Sequence, residues 1–118
     1  MKINSARLQS YFEAMSEIGK IGETGTCRPA HTALEKQGFE IAASWMKEAG
    51  MTTCIDNFGN LIGRLEGKNP DLPVLMMGSH LDSQPYGGRF DVLRAFCVRL
   101  KSLELCMKMM LFLKEASK

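Results

Sequence analysis

Residues 78–91 read GSHLDSQPYGGRFD, and this stretch decides how the fold of the 118-residue chain is interpreted. The apolar run 73–77 leads directly into it, which predicts a short buried strand over residues 73–79. That strand would deliver His80 and Asp82 at its carboxyl end, and the Gly-rich loop that follows carries Asp91. Because α/β proteins bind ligands and metals beyond the carboxyl ends of their strands, we take this loop as the candidate site.

The residue types in this motif suit a metal site. His80 and Asp82 are two apart on extended chain, so their side chains leave on the same side. Histidine is the commonest transition-metal ligand, and a nearby carboxylate usually fixes its tautomer. Gly87 and Gly88 would allow tight turns before Asp91, whose two oxygens could bridge two metal ions. The pattern alone leaves two alternatives open, a metal site or a structural His–Asp hydrogen bond at a strand end.

Two helices are predicted before the motif. Apolar residues at helical spacing predict the first over residues 4–18, with Asn4 or Ser5 as its cap. Glycines then break the pattern into a loop that runs to Pro29. The second helix is predicted over 32–49, where Gly50 ends it.

Strands 52–56 and 60–65 are predicted next, as a hairpin around Asn57-Phe58-Gly59. With strand 73–79, the order of elements predicts an incomplete α/β domain, a mixed sheet with flanking helices that needs more strands.

The totals exclude little. A net charge of +2, with 45% hydrophobic and 24% charged residues, gives no case for nucleic acid or membrane as a partner. The four cysteines form no C-x-x-C pair, which favours free thiols in a reducing cytoplasm. Cys27 and His31 make at most a lone metal half-site, and a solvated His31 near the second helix is the favoured interpretation. Arg28 could meet a substrate carboxylate or form a structural salt bridge.

Several pieces of residues 1–91 resemble the N-terminal end of the hydantoinase/carbamoylase family, which includes N-carbamoyl-L-amino-acid hydrolases and allantoate amidohydrolases. The family belongs to a superfamily of binuclear metallopeptidases. Besides the motif of residues 78–91, the matching pieces are NSARL (4–8), GTCR (25–28), WMKEAGM (45–51) and DNFGNLIGR (56–64).

The resemblance implies an N-terminal portion of a metal-dependent exopeptidase-like catalytic domain. It implies that His80 binds one of two divalent ions (Zn, Mn, Co or Ni), that Asp82 supports His80 in catalysis, and that Asp91 bridges both ions. It further implies a small carbamoyl or ureido substrate, hydrolysis of a linear C–N bond, and a homodimer whose dimerisation domain, like the remaining ligands, lies in the part of the enzyme not matched here.

The resemblance stops after Asp91. Restoring one G after the Asp91 codon makes Val92 complete a glycine codon, and residues 100–111 can then regroup as Glu-Val-Ala-Arg-Thr-Leu-His-Glu-Asn-Asp-Val, as family members read. We therefore expect a native segment 1–91 and an out-of-frame helical tail 92–118, and a chain that hydrolyses nothing alone. The alternative is a small non-enzymatic binding protein that uses the basic, Met-rich C-terminal helix.

Overall fold

A computed structural model describes residues 4–88. These residues form two helices packed against short antiparallel strands. In chain order the elements are α1 (Ser5–Ser16), β1 (Lys20–Ile21), β2 (Gly25–Thr26), α2 (Ala33–Glu48), β3 (Thr52–Ile55), β4 (Leu61–Arg64) and β5 (Gly87–Gly88). Both helices and the β3–β4 hairpin confirm the sequence predictions, with ends within two residues of those expected.

Helix α1 begins at a side-chain cap. The Asn4 carboxamide oxygen accepts a hydrogen bond from the backbone N–H of Arg7 at 3.0 Å, which satisfies one of the free donors of the first turn. Tyr11 and Met15 lie on the buried face of the helix, four residues apart, as the 3.6-residue repeat requires. The helix therefore presents one apolar stripe to the rest of the chain.

Helix α2 is bounded by two sequence-encoded signals. Thr32 caps its start by accepting from the backbone N–H of Glu35 at 3.4 Å. At its end Gly50 has φ +84°, and the N–H groups of Gly50 and Met51 donate to the carbonyls of Lys47 and Met46 at 2.9 and 3.0 Å. This pair of hydrogen bonds is a Schellman motif, for which glycine in the left-handed region is the usual residue.

The core joins both helices to the hairpin. Tyr11 and Trp45 stack with ring centroids 4.3 Å apart, so α1 and α2 meet through aromatic contact. Strands β3 and β4 pair antiparallel and pack on α2, where a Cβ atom at Gly63 would approach the Met46 sulfur to 2.7 Å. The buried apolar residues are Tyr11, Met15, Ala42, Trp45, Ala49, Met51 and Leu81.

The glycine-rich region after α1 is more regular than the predicted loop. Strands β1 and β2 pair antiparallel, and β2 also pairs with β5 from the far end of the described chain. Residues 19–29 thus carry a small sheet whose two-residue strands are too short for a periodicity signal. That sheet ties residues 87–88 to residues 25–26.

The predicted buried strand over residues 73–79 is wrong for the described chain. The segment forms no strand, and Leu75 and Met76 are 82% and 88% exposed. A strand satisfies its backbone groups by pairing with neighbours, and the two sheets formed within residues 4–88 do not include this segment. The predicted mixed sheet is likewise absent there, since every pairing among the described strands is antiparallel.

The predicted boundary after Asp91 and the helical tail 92–118 lie outside the described residues. Between residues 4 and 88, neither helix has the length and apolar character that crossing a membrane requires.

Candidate functional site

His80 and Asp82 lie together, as the extended-chain argument predicted. His80 Nδ1 is 2.9 Å from Asp82 Oδ1, and the two side chains are 65% and 37% exposed. An ionised carboxylate only accepts hydrogen bonds, so the ring proton is on Nδ1 and Nδ1 donates to Asp82. Coordination of a metal would then fall to Nε2, with the carboxylate fixing the tautomer and orientation of the ring.

Leu81 faces the opposite way and belongs to the hydrophobic core, with 6% of its surface exposed. The alternation of exposed His80, buried Leu81 and Asp82 on the side of His80 is that of extended chain. The motif is therefore anchored by its middle residue, a role that the sequence analysis did not assign.

Arg28 is the second anchor, and neither predicted interpretation of it is correct. Its side chain is 1% exposed, so it is not available to a substrate, and its hydrogen bonds go to backbone carbonyls. Nε donates to Leu81 O at 2.8 Å, while Nη1 donates to Met15 O and Ile18 O at 3.1 and 2.9 Å. The guanidinium thus joins the end of α1 to the peptide that links Leu81 to Asp82.

The surroundings of Arg28 explain how a charged group is held there. Burial lowers the pKa of Arg28, and the negative charges of Asp82 and Glu35 act in the opposite direction. Gly38 of α2 faces the side chain, and a Cβ atom there would lie 3.2 Å from Arg28 Cδ. A glycine inside a helix is normally destabilising, so its presence at this position fits the space that the arginine occupies.

Ser83 fastens the motif from its other side. Its hydroxyl accepts from the backbone N–H of Arg28 at 2.8 Å, and its own N–H donates to Arg28 O at 2.8 Å. The hydroxyl also donates to Thr26 O at 3.4 Å. Residues 81–83 are consequently bound to residues 26–28 through both side-chain and backbone groups.

Gly87 and Gly88 do not make the turn that the sequence suggested. They form β5 beside β2, and the residue with positive φ is Tyr86, at 60°. Gly87 instead allows close approach, because a Cβ atom there would lie 3.2 Å from Gln84 O.

The candidate metal site is only partly within the described residues. Asp91 lies outside them. Among residues 4–88, no three His, Cys, Asp or Glu side chains converge as metal ligands would. His31 is exposed with φ 60° immediately before the cap of α2, and its N–H donates to the Glu35 carboxylate. The solvated interpretation of His31 is confirmed.

Comparison with known proteins identifies relatives over the first three quarters of the chain's length. The chain is 45% identical over 89 residues to N-carbamoyl-L-amino-acid amidohydrolase from Pseudomonas sp. strain NS671, which is 75% of this chain and 22% of the relative. It is 38% identical over 79 residues to a probable allantoate deiminase from rice, 65% of this chain and 16% of that protein. No family model matches.

The fold agrees with these relatives. A hydantoinase/carbamoylase family amidase from Burkholderia ambifaria superposes with a TM-score of 0.82 at 36% identity, over 87% of this chain and 25% of that one. The predicted α/β class of the domain is confirmed by this match.

Sequence and fold together define the class of protein as an amidohydrolase. Over the residues that match, the chain belongs to the hydantoinase/carbamoylase family, and the predicted resemblance is confirmed. The chain spans about a fifth of the length of the curated relatives it matches most closely in these comparisons, 22% for the Pseudomonas protein.

Proposed function

We propose that this chain carries the N-terminal part of a metal-dependent amidohydrolase that cleaves linear C–N bonds in N-carbamoyl amino acids or allantoate-type ureido compounds. One observation supports it most directly. An exposed histidine is oriented by a carboxylate at 2.9 Å on a backbone anchored by buried groups, within a segment 45% identical to an N-carbamoyl-L-amino-acid amidohydrolase.

In this proposal His80 binds the metal through Nε2, and Asp82 keeps the ring proton on Nδ1. Asp91 would supply the bridging carboxylate. Two divalent ions, when bound, would polarise the substrate carbonyl and provide hydroxide near neutral pH. The exposure of His80 leaves its outer face accessible to ligands contributed from elsewhere in the enzyme.

We further propose that the chain does not hydrolyse substrate alone. Metal sites need several convergent ligands, whereas the described part of the chain holds one imidazole and its supporting carboxylate. The sequence match of 89 residues is close in length to segment 1–91, which supports the proposed change of reading frame after Asp91. Substrate, homodimer partner and cytoplasmic location would then be properties of the longer enzyme.

The decisive experiment compares this chain with a version whose frame is restored after Asp91 and extended with the downstream coding sequence. Both would be assayed for hydrolysis of N-carbamoyl-L-amino acids and allantoate with added Zn²⁺, Mn²⁺, Co²⁺ or Ni²⁺. We expect turnover only from the extended protein, and its loss in His80→Ala. Turnover by the chain alone, or genomic DNA without a family-like frame downstream of Asp91, would contradict the proposal.

The alternative of a binding protein rests on residues 92–118, which lie outside the described part, and no observation in residues 4–88 favours it.

A further inference from the structure

We infer that Arg28 is a positioning residue for the His80–Asp82 pair, in addition to its part in the fold. The inference rests on the proposed function, because it concerns how the chain orients a metal ligand. Arg28 is too buried to touch metal or substrate, so it would act through the backbone of Leu81 and Ser83.

The contacts of Arg28 fix the motif in two directions. Nε holds Leu81 O at 2.8 Å, directly between His80 and Asp82 in the chain. Nη1 holds two carbonyls at the end of α1, at 2.9 and 3.1 Å. Because the guanidinium is planar and rigid, these hydrogen bonds set the distance and angle between helix and motif.

The chemistry of Arg28 is unusual for a residue that only fills space. A buried cation is unfavourable unless it is well compensated, and an apolar side chain would pack there without that penalty. Its compensation comes from backbone carbonyls on two separate segments, with Asp82 and Glu35 as the charges that act on it. Such a group defines one relative placement of those segments, whereas an apolar contact tolerates several.

Gly38 adds an independent requirement for the position of the arginine. With Cβ contacts of 3.2 Å to Arg28 Cδ and 3.4 Å to Nε, any side chain at residue 38 would press on the guanidinium stem. Alanine at this position favours the helix and leaves Arg28 present. Gly38→Ala is therefore a variant that folds and displaces the anchor slightly.

The test uses the full chain and a readout that needs no metal. The ¹⁵N chemical shifts of His80 report which ring nitrogen carries the proton, and we expect Nδ1–H in the unaltered chain at pH 8. Arg28→Lys keeps a charge but loses the fork of donors, and we expect it to mix the two tautomers. Gly38→Ala should shift the same signals in the same direction by less.

Co²⁺ titration, followed by its visible absorption, gives the second readout. Loss of groups that orient a metal ligand typically weakens metal binding 10–100-fold, and we expect at least about tenfold for Arg28→Lys. Met51→Ala is the matched control, because Met51 is buried in the same core but does not contact the motif through a hydrogen bond. It should lower the melting temperature and leave both the tautomer and Co²⁺ affinity unchanged.

The outcomes separate the two proposals. If Arg28→Lys and Gly38→Ala keep the Nδ1–H tautomer, or if Met51→Ala disturbs it equally, Arg28 has only a structural role. If the unaltered chain shows the Nδ1–H tautomer and its dependence on Arg28 but binds no Co²⁺, the positioning role stands and metal binding by this chain fails.

Discussion

Helix α2 and the apolar segment 72–77 have similar hydrophobic character and opposite environments. Ala42 and Trp45 of α2 are buried, while Leu75 and Met76 of the segment are 82% and 88% exposed. The partners of α2 are α1 and the β3–β4 hairpin, all close in sequence. The segment precedes the motif and pairs with neither sheet of the described chain.

This difference teaches that an apolar pattern predicts a surface to be covered, not the presence of its cover. A helix satisfies its own backbone and needs only side-chain partners, whereas a strand also needs backbone partners. A chain that spans 22% of a relative can therefore complete its helical layer and leave a strand-like segment exposed.

The largest test of this comparison exchanges bulky side chains for alanine in both regions. Trp45→Ala removes a stacked, buried ring, and we expect the free energy of unfolding to fall by about 3–5 kcal/mol. Met76→Ala, in the exposed segment, should change it by less than about 0.5 kcal/mol. Urea denaturation of both variants checks this, and equal losses would mean that the segment is buried in solution.

Paired glycine substitutions give a smaller effect. Gly50→Val forces a β-branched residue into φ +84°, and we expect a loss of about 1–2 kcal/mol. Gly67→Val is the control, because a Cβ atom there would have no neighbour closer than 4.0 Å and the residue does not need positive φ. Thermal unfolding that is equally affected by both would show that α2 does not need its glycine end.

The hairpin offers a pH test within the ordered region. Asp56 accepts hydrogen bonds from the side chain and backbone of Asn60 and from Phe58 N, and these lower the pKa of its carboxyl group. A lowered folded-state pKa gives stability that is full above the ordinary value of about 3.9 and is lost as pH falls through the lower folded value.

We expect the cross-strand NMR contacts between β3 and β4 to weaken in this acidic range. Asp56→Asn retains an acceptor but does not titrate, so its contacts should show no such step. The same step in both proteins would assign the acid sensitivity to other groups.

The smallest expected effect on stability is that of Leu75→Lys. The free energy of unfolding should change by less than about 0.5 kcal/mol, while self-association at high concentration should decrease because an exposed apolar patch is interrupted. Analytical ultracentrifugation measures the latter. Unchanged association would show that the segment is not the adhesive surface.

Local signals carried most of what the sequence could predict. Caps, apolar repeats and turn residues located α1, α2 and the hairpin, and alternation along extended chain brought His80 and Asp82 together. Arg28 was misjudged because its partners are backbone carbonyls, which every residue has, and no sequence pattern identifies which carbonyl a side chain will meet. The cue available was the pair of Arg28 and Gly38, whose contact only the packing reveals.

The hydrogen bond between Arg28 and Leu81 also bears on the order of folding. It joins residues 53 apart, whereas Arg28 meets Met15 across only 13. Closing the longer loop costs more chain entropy, so the end of α1 engages the guanidinium first and the motif docks last. During synthesis this docking needs only the residues up to Ser83. A reading-frame change after Asp91 therefore leaves every donor and acceptor of the anchor already translated, so the motif can be assembled in a chain that never completes an enzyme.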